Sequence, residues 1–116
     1  MEIKGKAKSL RIFIGESDKV QYTSLYEAIV LEARKAGLAG ATVFRGILGF
    51  GPTSHIRTAK ILDLSSDLPV VVEIVDEEGK IDAFLPTLSK LFEKSGSGGL
   101  VTVEKIGVIH YSHGTI

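Results

Sequence analysis

The fold of this chain is decided by the stretch Pro69-Val70-Val71-Val72-Glu73-Ile74-Val75. Its β-branched residues are typical of a strand, and the proline stands at the start, where the sheet does not require an N–H donor. Val70, Val72 and Ile74 lie on one face and Val71 and Val75 on the other, so both faces of the strand need other elements or subunits packed against them. The single carboxylate, Glu73, needs a partner if it is buried there, because carboxylates are seldom buried unpaired.

Further strands and a helix are predicted upstream of this stretch. Residues 7–14 alternate between an apolar and a mixed face, which predicts the first strand. A helix follows, because Ser24 and Glu27 stand at the spacing of a capping box and Gly37 can end the helix. Residues 41–48 are rich in β-branched and bulky side chains and predict the second strand.

Downstream, apolar residues repeat at helical spacing from Ile81 to Phe92 and predict a second helix. We expect it to begin near Asp82, because Pro86 would then fall close to the first turn. The preceding acidic residues 76–78 read as a solvated turn. Residues 100–111 predict the last strand, with a bulge near Lys105, where the apolar positions change parity.

The predicted order is therefore strand, helix, strand, strand, helix, strand. This βαββαβ order is typical of the ferredoxin-like α+β sandwich, a four-stranded antiparallel sheet with two helices on one face. The 116 residues make one domain, spanning 1–116. Because the other sheet face is bare and apolar, we predict a homo-oligomer that packs sheet against sheet.

Composition narrows the function classes. Fourteen basic and fourteen acidic side chains cancel, so no overall field recruits nucleic acid. Cysteine is absent, and no apolar run reaches signal or membrane-spanning length. We therefore expect a cytoplasmic protein that neither inserts into a membrane nor binds nucleic acid.

Few residues suggest catalysis or a metal site. His110 and His113 lie three apart, which on a strand places them on opposite faces and disfavours chelation. The sequence shows no Ser-His-Asp arrangement. An acylphosphatase would need an arginine cradle in the loop after the first strand, whereas Glu16 and Asp18 in that loop would repel an acyl phosphate. An enzyme is therefore the weaker hypothesis, and no metal is expected.

A long excursion separates the second and third strands, with a loop at about residues 49–66. It opens with glycines at 46, 49 and 51 and then displays His55, Arg57 and Lys60. Backbone N–H groups beside cationic side chains suit a phosphate-bearing ligand or a partner surface. A solvated hairpin loop with incidental charges is the alternative.

These residues resemble the PII nitrogen-regulatory signalling proteins. In that family a G-x-T-V strand, here within residues 40–43, runs into K-G-F-G at the base of a long mobile loop, here Gly49-Phe50-Gly51. Residues 67–75 are similar to the returning L-P-x-x-x-x-E-I-V strand. Three further motifs are most similar to an uncharacterised PII-like branch of stand-alone bacterial and archaeal proteins: R-I-F-I-G-E-S-D (11–18), L-Y-E-A-I-V (25–30) and G-L-V-T-V-E (99–104).

The resemblance implies a homotrimer with its sheets turned inward and an adenine nucleotide in each cleft between subunits. It implies three groups of binding residues. The first contacts adenine, the second forms the loop base beside the phosphates, and the third corresponds to the phosphate-cradling B-loop. The adenine group is Thr42, Glu73, Ile74 and Val75. The loop-base group is Arg45, Gly46, Gly49, Phe50 and Gly51, and the B-loop group is Ser97, Gly98 and Gly99. For Glu73, an inter-subunit salt bridge is the alternative role.

The chain also departs from the family pattern. Its B-loop lacks the acidic residue and lysine of G-D-G-K, so AMP or ADP is favoured over ATP. The paired C-terminal arginines are missing, and the candidates to replace them are Arg45, Arg57, Lys60 and Lys105 of a neighbouring subunit. Control by uridylylation does not carry over.

The predicted function is a sensor whose nucleotide orders the long loop for a protein partner, with a membrane transporter or channel as one candidate. A ligand-free trimeric scaffold, accessory to a transporter or channel, is the alternative.

Overall fold

The structure, a computed structural model, describes residues 3, 5–60 and 67–114. Its elements are, in chain order, β1 (Ala7–Gly15), β2 (Lys19–Val20), β3 (Thr23–Ser24), α1 (Leu25–Lys35), β4 (Ala41–Arg45), β5 (Leu48–Gly49), β6 (Arg57–Thr58), β7 (Pro69–Glu77), α2 (Glu78–Ser95) and β8 (Leu100–Ile106). The main sheet has the order β4-β7-β1-β8, and every neighbouring pair is antiparallel. The predicted ferredoxin-like fold is confirmed.

The core lies between this sheet and the two helices. Alternate residues of β1 and β7 point into it, so that Ile12 faces the same layer as its cross-strand partner Val72. Ile29 of α1 and Phe84 of α2 pack against them. This alternation follows from the period of two residues along a strand, as the sequence predicted.

The opposite side of the sheet, which we call the open face, carries no helix among the described residues. Phe13, Phe44 and Leu100 lie on it with 37%, 51% and 56% of their surface exposed. Arg11 and Glu73 are cross-strand partners near its middle and form an ion pair of 2.7 Å. The open face therefore has apolar side chains around a charged pair.

Helix α2 begins at Glu78, so the predicted start near Asp82 was wrong. The main-chain N–H of Glu78 donates to Lys6 O at 3.0 Å, and Lys8 Nζ bonds to Asp82 at 2.8 Å. Lys8 Nζ also lies 3.6 Å from Glu78 Oε1, so the additional first turn is held by contacts with residues 6 and 8. Pro86 consequently lies inside the helix, while Gly96, with φ of 71°, ends it.

The last strand ends at Ile106 and contains no bulge, so the prediction of a strand over residues 100–111 was wrong. Its register with β1 is continuous from Phe13–Leu100 to Ala7–Ile106. Because Ala7 is the first residue of β1, that strand offers no further partner to residues beyond Ile106. The change of parity in the sequence marks the point where the chain leaves the sheet.

Two other local predictions need correction. Asp76 is not in a solvated turn but fully buried at the end of β7, where its carboxylate accepts hydrogen bonds from Ala39 N and Glu77 N. Helix α1 begins after Ser24 and ends before Gly37 as predicted, but Ser24 Oγ is buried and makes no capping bond. The main-chain N–H of Leu25 instead donates to Asp18 O at 2.7 Å.

The long excursion carries regular structure in its described part. Strand β4 ends at Arg45 rather than at residue 48, and β5 and β6 then pair as a small hairpin, with Leu48 opposite Thr58. Residues 61–66 of the predicted loop lie outside the described residues. Within the described ranges, no helix is long and apolar enough to cross a bilayer.

Candidate functional site

A cleft of about 380 Å³ opens on the open face between β4, β7 and the segment after β8. Thr42, Glu73 and Val75, three of the four residues predicted to contact adenine, line it. Thr42 and Glu73 are cross-strand partners, which places their side chains next to each other. The fourth, Ile74, points the other way and is fully buried against the helices.

The cleft has a wall that the sequence did not predict. Residues 107–111 leave β8 at one sheet edge, and Val108, His110 and Tyr111 reach the cleft beside β4 at the other edge. Tyr111 donates its hydroxyl to Ala39 O at 2.9 Å. We call residues 107–111 the C-terminal strap. The signal for it in the sequence was Tyr111, an aromatic residue beyond the last strand, but the prediction of a strand over residues 100–111 included that residue in the strand.

The far end of the strap is linked through Ala39 to a buried carboxylate. Ala39 N donates to Asp76 Oδ2 at 2.9 Å, while Ala39 O accepts from Tyr111. One residue is therefore fixed from both sides, which links the loop before β4 to the core of β7 and to the strap.

The predicted loop base lies at the other end of β4. Gly46 N donates to Pro69 O at 2.7 Å, and a Cβ on Gly46 would lie 2.9 Å from Pro69 Cγ. This close approach requires glycine. Gly49 also lies against Pro69, while Phe50 and Gly51 are exposed.

The predicted B-loop meets this loop base. A Cβ on Gly98 would lie 3.4 Å from Pro52 Cγ, so the two glycine-rich segments are neighbours. A Cβ on Gly99 would lie 2.8 Å from Phe92 Cε1 and 3.0 Å from Phe13 O, so only glycine fits. The Ser97 hydroxyl lies 2.6 Å from that of Ser95.

Arg45, a predicted binding residue, and Arg57, a candidate to replace the missing arginines from a neighbouring subunit, are both paired with carboxylates. Arg45, at the end of β4, bonds to Glu16, and Arg57, in β6, bonds to Asp67. Burial opposes ionisation of Asp67, but the hydrogen bond from Ser17 N–H and the positive charge of Arg57 outweigh it and lower the pKa of Asp67 below its ordinary value.

The structure thus gathers the predicted residues in two places within one subunit. Thr42, Glu73 and Val75 line the cleft, while the loop base and the B-loop meet at the sheet end where β4 finishes. Arg45 lies three residues along β4 from Thr42, about 10 Å away, and its side chain starts from the opposite face of the sheet, because residues three apart on a strand point to opposite sides. The cleft therefore lies at one end of β4 on the open face, while the glycine-rich segments and the two arginines lie at the other end.

No group of three or more potential metal ligands occurs in the described ranges. His113 makes an edge-to-face contact with Tyr111, with ring centroids 5.6 Å apart, and His110 lies beside the cleft.

Comparisons with known proteins give a family and a fold. The model of the family described as DUF190 (Uncharacterized ACR, COG1993) matches residues 7–108. A "UPF0166 protein" of Aquifex aeolicus (strain VF5) is 45% identical over 105 residues, which cover 90% of this chain and 95% of the relative. Another UPF0166 protein, from Methanocaldococcus jannaschii, is 38% identical over 98 residues, covering 84% of this chain and 87% of the relative.

Solved structures of similar fold include CPII from Thiomonas intermedia K12, a nitrogen regulatory PII-like protein bound to ADP, AMP and bicarbonate. It superposes with a TM-score of 0.68 at 21% identity and 92% coverage of both chains. A protein of Thermus thermophilus described as a putative PII-like signaling protein gives a TM-score of 0.66 at 18% identity and 90% coverage of both chains. The predicted resemblance to PII-like proteins is thereby confirmed at the level of the fold.

Proposed function

Because this chain belongs to the DUF190 family and has the fold of PII-like proteins, we propose that it is a PII-like signal-transduction protein. It binds an adenine nucleotide in clefts between the subunits of a homotrimer and regulates a partner protein through its long loop. The protein is not an enzyme, acts in the cytoplasm, and forms one domain over residues 1–116.

One observation carries the proposal. Thr42, Glu73 and Val75, residues distant in sequence, converge on one cleft of the open face. The cleft offers a hydroxyl, a carboxylate and a methyl surface, a combination suited to a flat heterocycle with polar edges. The glycine-rich segments meet at the far end of β4, and the backbone N–H groups of Ser97-Gly98-Gly99 are suited to bind phosphate.

The choice of nucleotide rests on two supports. CPII, the similar structure, is bound to ADP and AMP. In this chain the segment Ser97-Gly98-Gly99 has no lysine to bind a terminal phosphate. We therefore propose AMP or ADP in preference to ATP.

The trimer is supported by the open face. Phe13, Phe44 and Leu100 expose apolar surface on the side that the helices leave bare. Apolar surface of this kind favours association at roughly 25 cal/mol per Å² buried. A neighbouring subunit packed on this face would also close the cleft on its open side.

Isothermal titration calorimetry with AMP, ADP and ATP tests the proposal. We expect AMP and ADP to bind with measurable heat and ATP more weakly. The absence of binding by all three nucleotides would refute it.

A matched pair of variants locates the site. Thr42→Val removes the hydroxyl that lines the cleft and is expected to weaken AMP binding about five- to tenfold, the effect of one lost hydrogen bond. Thr102→Val makes the same change on the same face, on β8 and outside the cleft lining, and serves as the control. Equal affinities of the two variants would place the base elsewhere.

The alternative is a ligand-free trimeric scaffold, accessory to a transporter or channel. Four exposed apolar residues of the excursion favour a partner surface there: Ile47, Leu48, Phe50 and Ile56. Deletion of residues 52–60 separates the two functions, when nucleotide affinity and partner capture from the native host are both measured. A scaffold would lose partner capture without ever binding nucleotide, whereas a sensor would lose partner capture and change its nucleotide affinity.

A further inference from the structure

We infer that Glu16 and Asp67 compete with the phosphate groups of a bound nucleotide for Arg45 and Arg57, and so set the preference for phosphorylated over unphosphorylated ligands. This inference rests on the proposed function. We call the four residues the acidic clamp. In it, the carboxylates hold both arms of the long excursion until a phosphate replaces them.

The clamp is built around the turn after β1. The main chain of Glu16 donates to Leu68 O at 2.9 Å, which ties this turn to the residue before β7. Ser17 N donates to Asp67 Oδ1 at 2.9 Å. The two carboxylates are therefore fixed to one another through short backbone contacts, and each of them accepts an arginine.

The two arginines belong to opposite arms of the excursion. Arg45 is the last residue of β4, where the chain leaves the main sheet, and Arg57 is the first residue of β6, on the returning arm. Their partners lie 29 and 10 residues away in sequence. Holding both arginines thus fixes the outgoing and returning arms against the end of β1.

The clamp adjoins the predicted phosphate cradle. A Cβ on Gly15 would lie 2.6 Å from Arg57 Nη1, and a Cβ on Gly99 would lie 3.1 Å from Ile14 Cγ2. Arg57 and the B-loop glycine therefore both lie at the end of β1, although Ile14 and a Cβ on Gly15 would point to opposite faces of the sheet. A phosphate held by the glycine N–H groups would lie close enough to attract the guanidinium.

The pairs are arranged so that exchange is feasible. The side chains of Arg57 and Asp67 are 26% and 28% exposed, and Arg45 is 61% exposed, so water and ions reach both pairs. Partly exposed ion pairs are weak. A phosphate carries more charge than a carboxylate and can accept two parallel hydrogen bonds from a guanidinium, so it can replace the carboxylate.

The test removes the negative charge of each carboxylate and keeps the shape of its side chain. Glu16→Gln and Asp67→Asn free one arginine each, and we expect each variant to bind ADP about threefold more tightly than the wild type. Adenosine, which has no phosphate, should bind all three proteins equally. Glu27→Gln, an exposed carboxylate on α1, is the control and should not change ADP affinity.

A reciprocal variant and a second measurement complete the design. Arg45→Gln is expected to weaken ADP binding while leaving adenosine binding unchanged. Trypsin cleavage after Arg57 reports the clamp without any nucleotide, and Asp67→Asn should be cut faster than the wild type because the arginine is released.

The outcomes separate the two proposals. If the wild type binds AMP or ADP but Glu16→Gln and Asp67→Asn bind ADP no more tightly than the wild type, the inference is overturned and the proposed function stands. If the wild type binds no adenine nucleotide, the proposed function fails. Equal tightening for adenosine and ADP would also overturn the inference, because the phosphate would then have no part in the effect.

Discussion

At the scale of single residues, Asp67 shows how opposing effects act on one carboxyl group. Burial raises its pKa, while the hydrogen bond from Ser17 N–H and the charge of Arg57 lower it more, so the net pKa lies below the ordinary value of 3.8. Asp18 also lies near this group, at the turn after β1. A carboxyl group with a lowered pKa favours the folded state wherever it is ionised.

This gives a prediction for the pH dependence of stability. The contribution of Asp67 is complete above pH 3.8, its ordinary pKa, and is lost as the pH falls through the lower folded-state value. Wild type and Asp67→Asn should therefore differ in free energy of unfolding near pH 7, and the difference should shrink as the pH falls below 3.8. Urea unfolding at several pH values measures this, and a difference that does not shrink below pH 3.8 would contradict it.

Asp76 shows what a sequence conceals at this scale. Within residues 76–78 it reads as one of several solvated acids, yet it is fully buried. Its hydrogen-bond partner, Ala39 N, lies 37 residues away in sequence, and neither residue carries a local sign of the contact. The pairs Arg45–Glu16 and Arg57–Asp67 escaped prediction for the same reason. The types of residue at a site can be read from the chain, but their partners depend on the tertiary fold.

At the scale of elements, the strands were the most predictable part. Val70, Val72 and Ile74 alternate with half-buried residues, and the period of two fixes both the element and its buried face. Element ends were less predictable, because contacts from elsewhere decide them. Helix α2 includes Glu78 because its main-chain N–H donates to Lys6 O. Strand β8 ends at Ile106 because its partner β1 begins at Ala7.

Pro86 gives a prediction at this scale. It stands inside α2, where it cannot donate to the carbonyl of Asp82, and both residues are exposed, so that carbonyl is solvated. Pro86→Ala restores the donor without creating a cavity. We expect the free energy of unfolding to rise by about 1–2 kcal/mol, the helical gain less the entropy that alanine adds to the unfolded chain.

Chemical denaturation measures this change. Ser89→Ala, at an exposed position of the same helix, is the control and should add only about 0.5 kcal/mol through helix propensity. Equal stabilisation by the two variants would mean that the missing hydrogen bond of Pro86 costs nothing.

At the scale of the whole molecule, the open face is the surface through which the proposed trimer would assemble. The sequence predicted this from apolar residues on both faces of the third strand, and the structure places aromatic side chains there. Most residues of the candidate site were predicted from the sequence. The sequence did not predict that some of them line the cleft while others meet at the end of the sheet. That division depends on the path of the chain after β8, where the predicted last strand had included Tyr111.

A charge on the open face should break the assembly. Phe44→Asp puts a carboxylate on the apolar surface of β4, and its desolvation within an interface would be unfavourable. We expect light scattering with size-exclusion chromatography to give a trimer for the wild type and a smaller species for the variant. Tyr22→Asp, at the fully exposed turn between β2 and β3, is the control and should remain a trimer. A wild-type monomer would refute the proposed assembly.

The contact between Tyr111 and Ala39 has a practical consequence. The chain has three tyrosines and no tryptophan, so its ultraviolet emission arises from phenol rings alone. Tyr22 and Tyr26 belong to the β2–β3 turn and to α1, whereas Tyr111 lines the cleft and commits its proton to a carbonyl oxygen. A phenol bonded in this way emits differently from a hydrated one. The molecule therefore carries its own optical reporter, which will respond when anything entering the cleft shifts the strap.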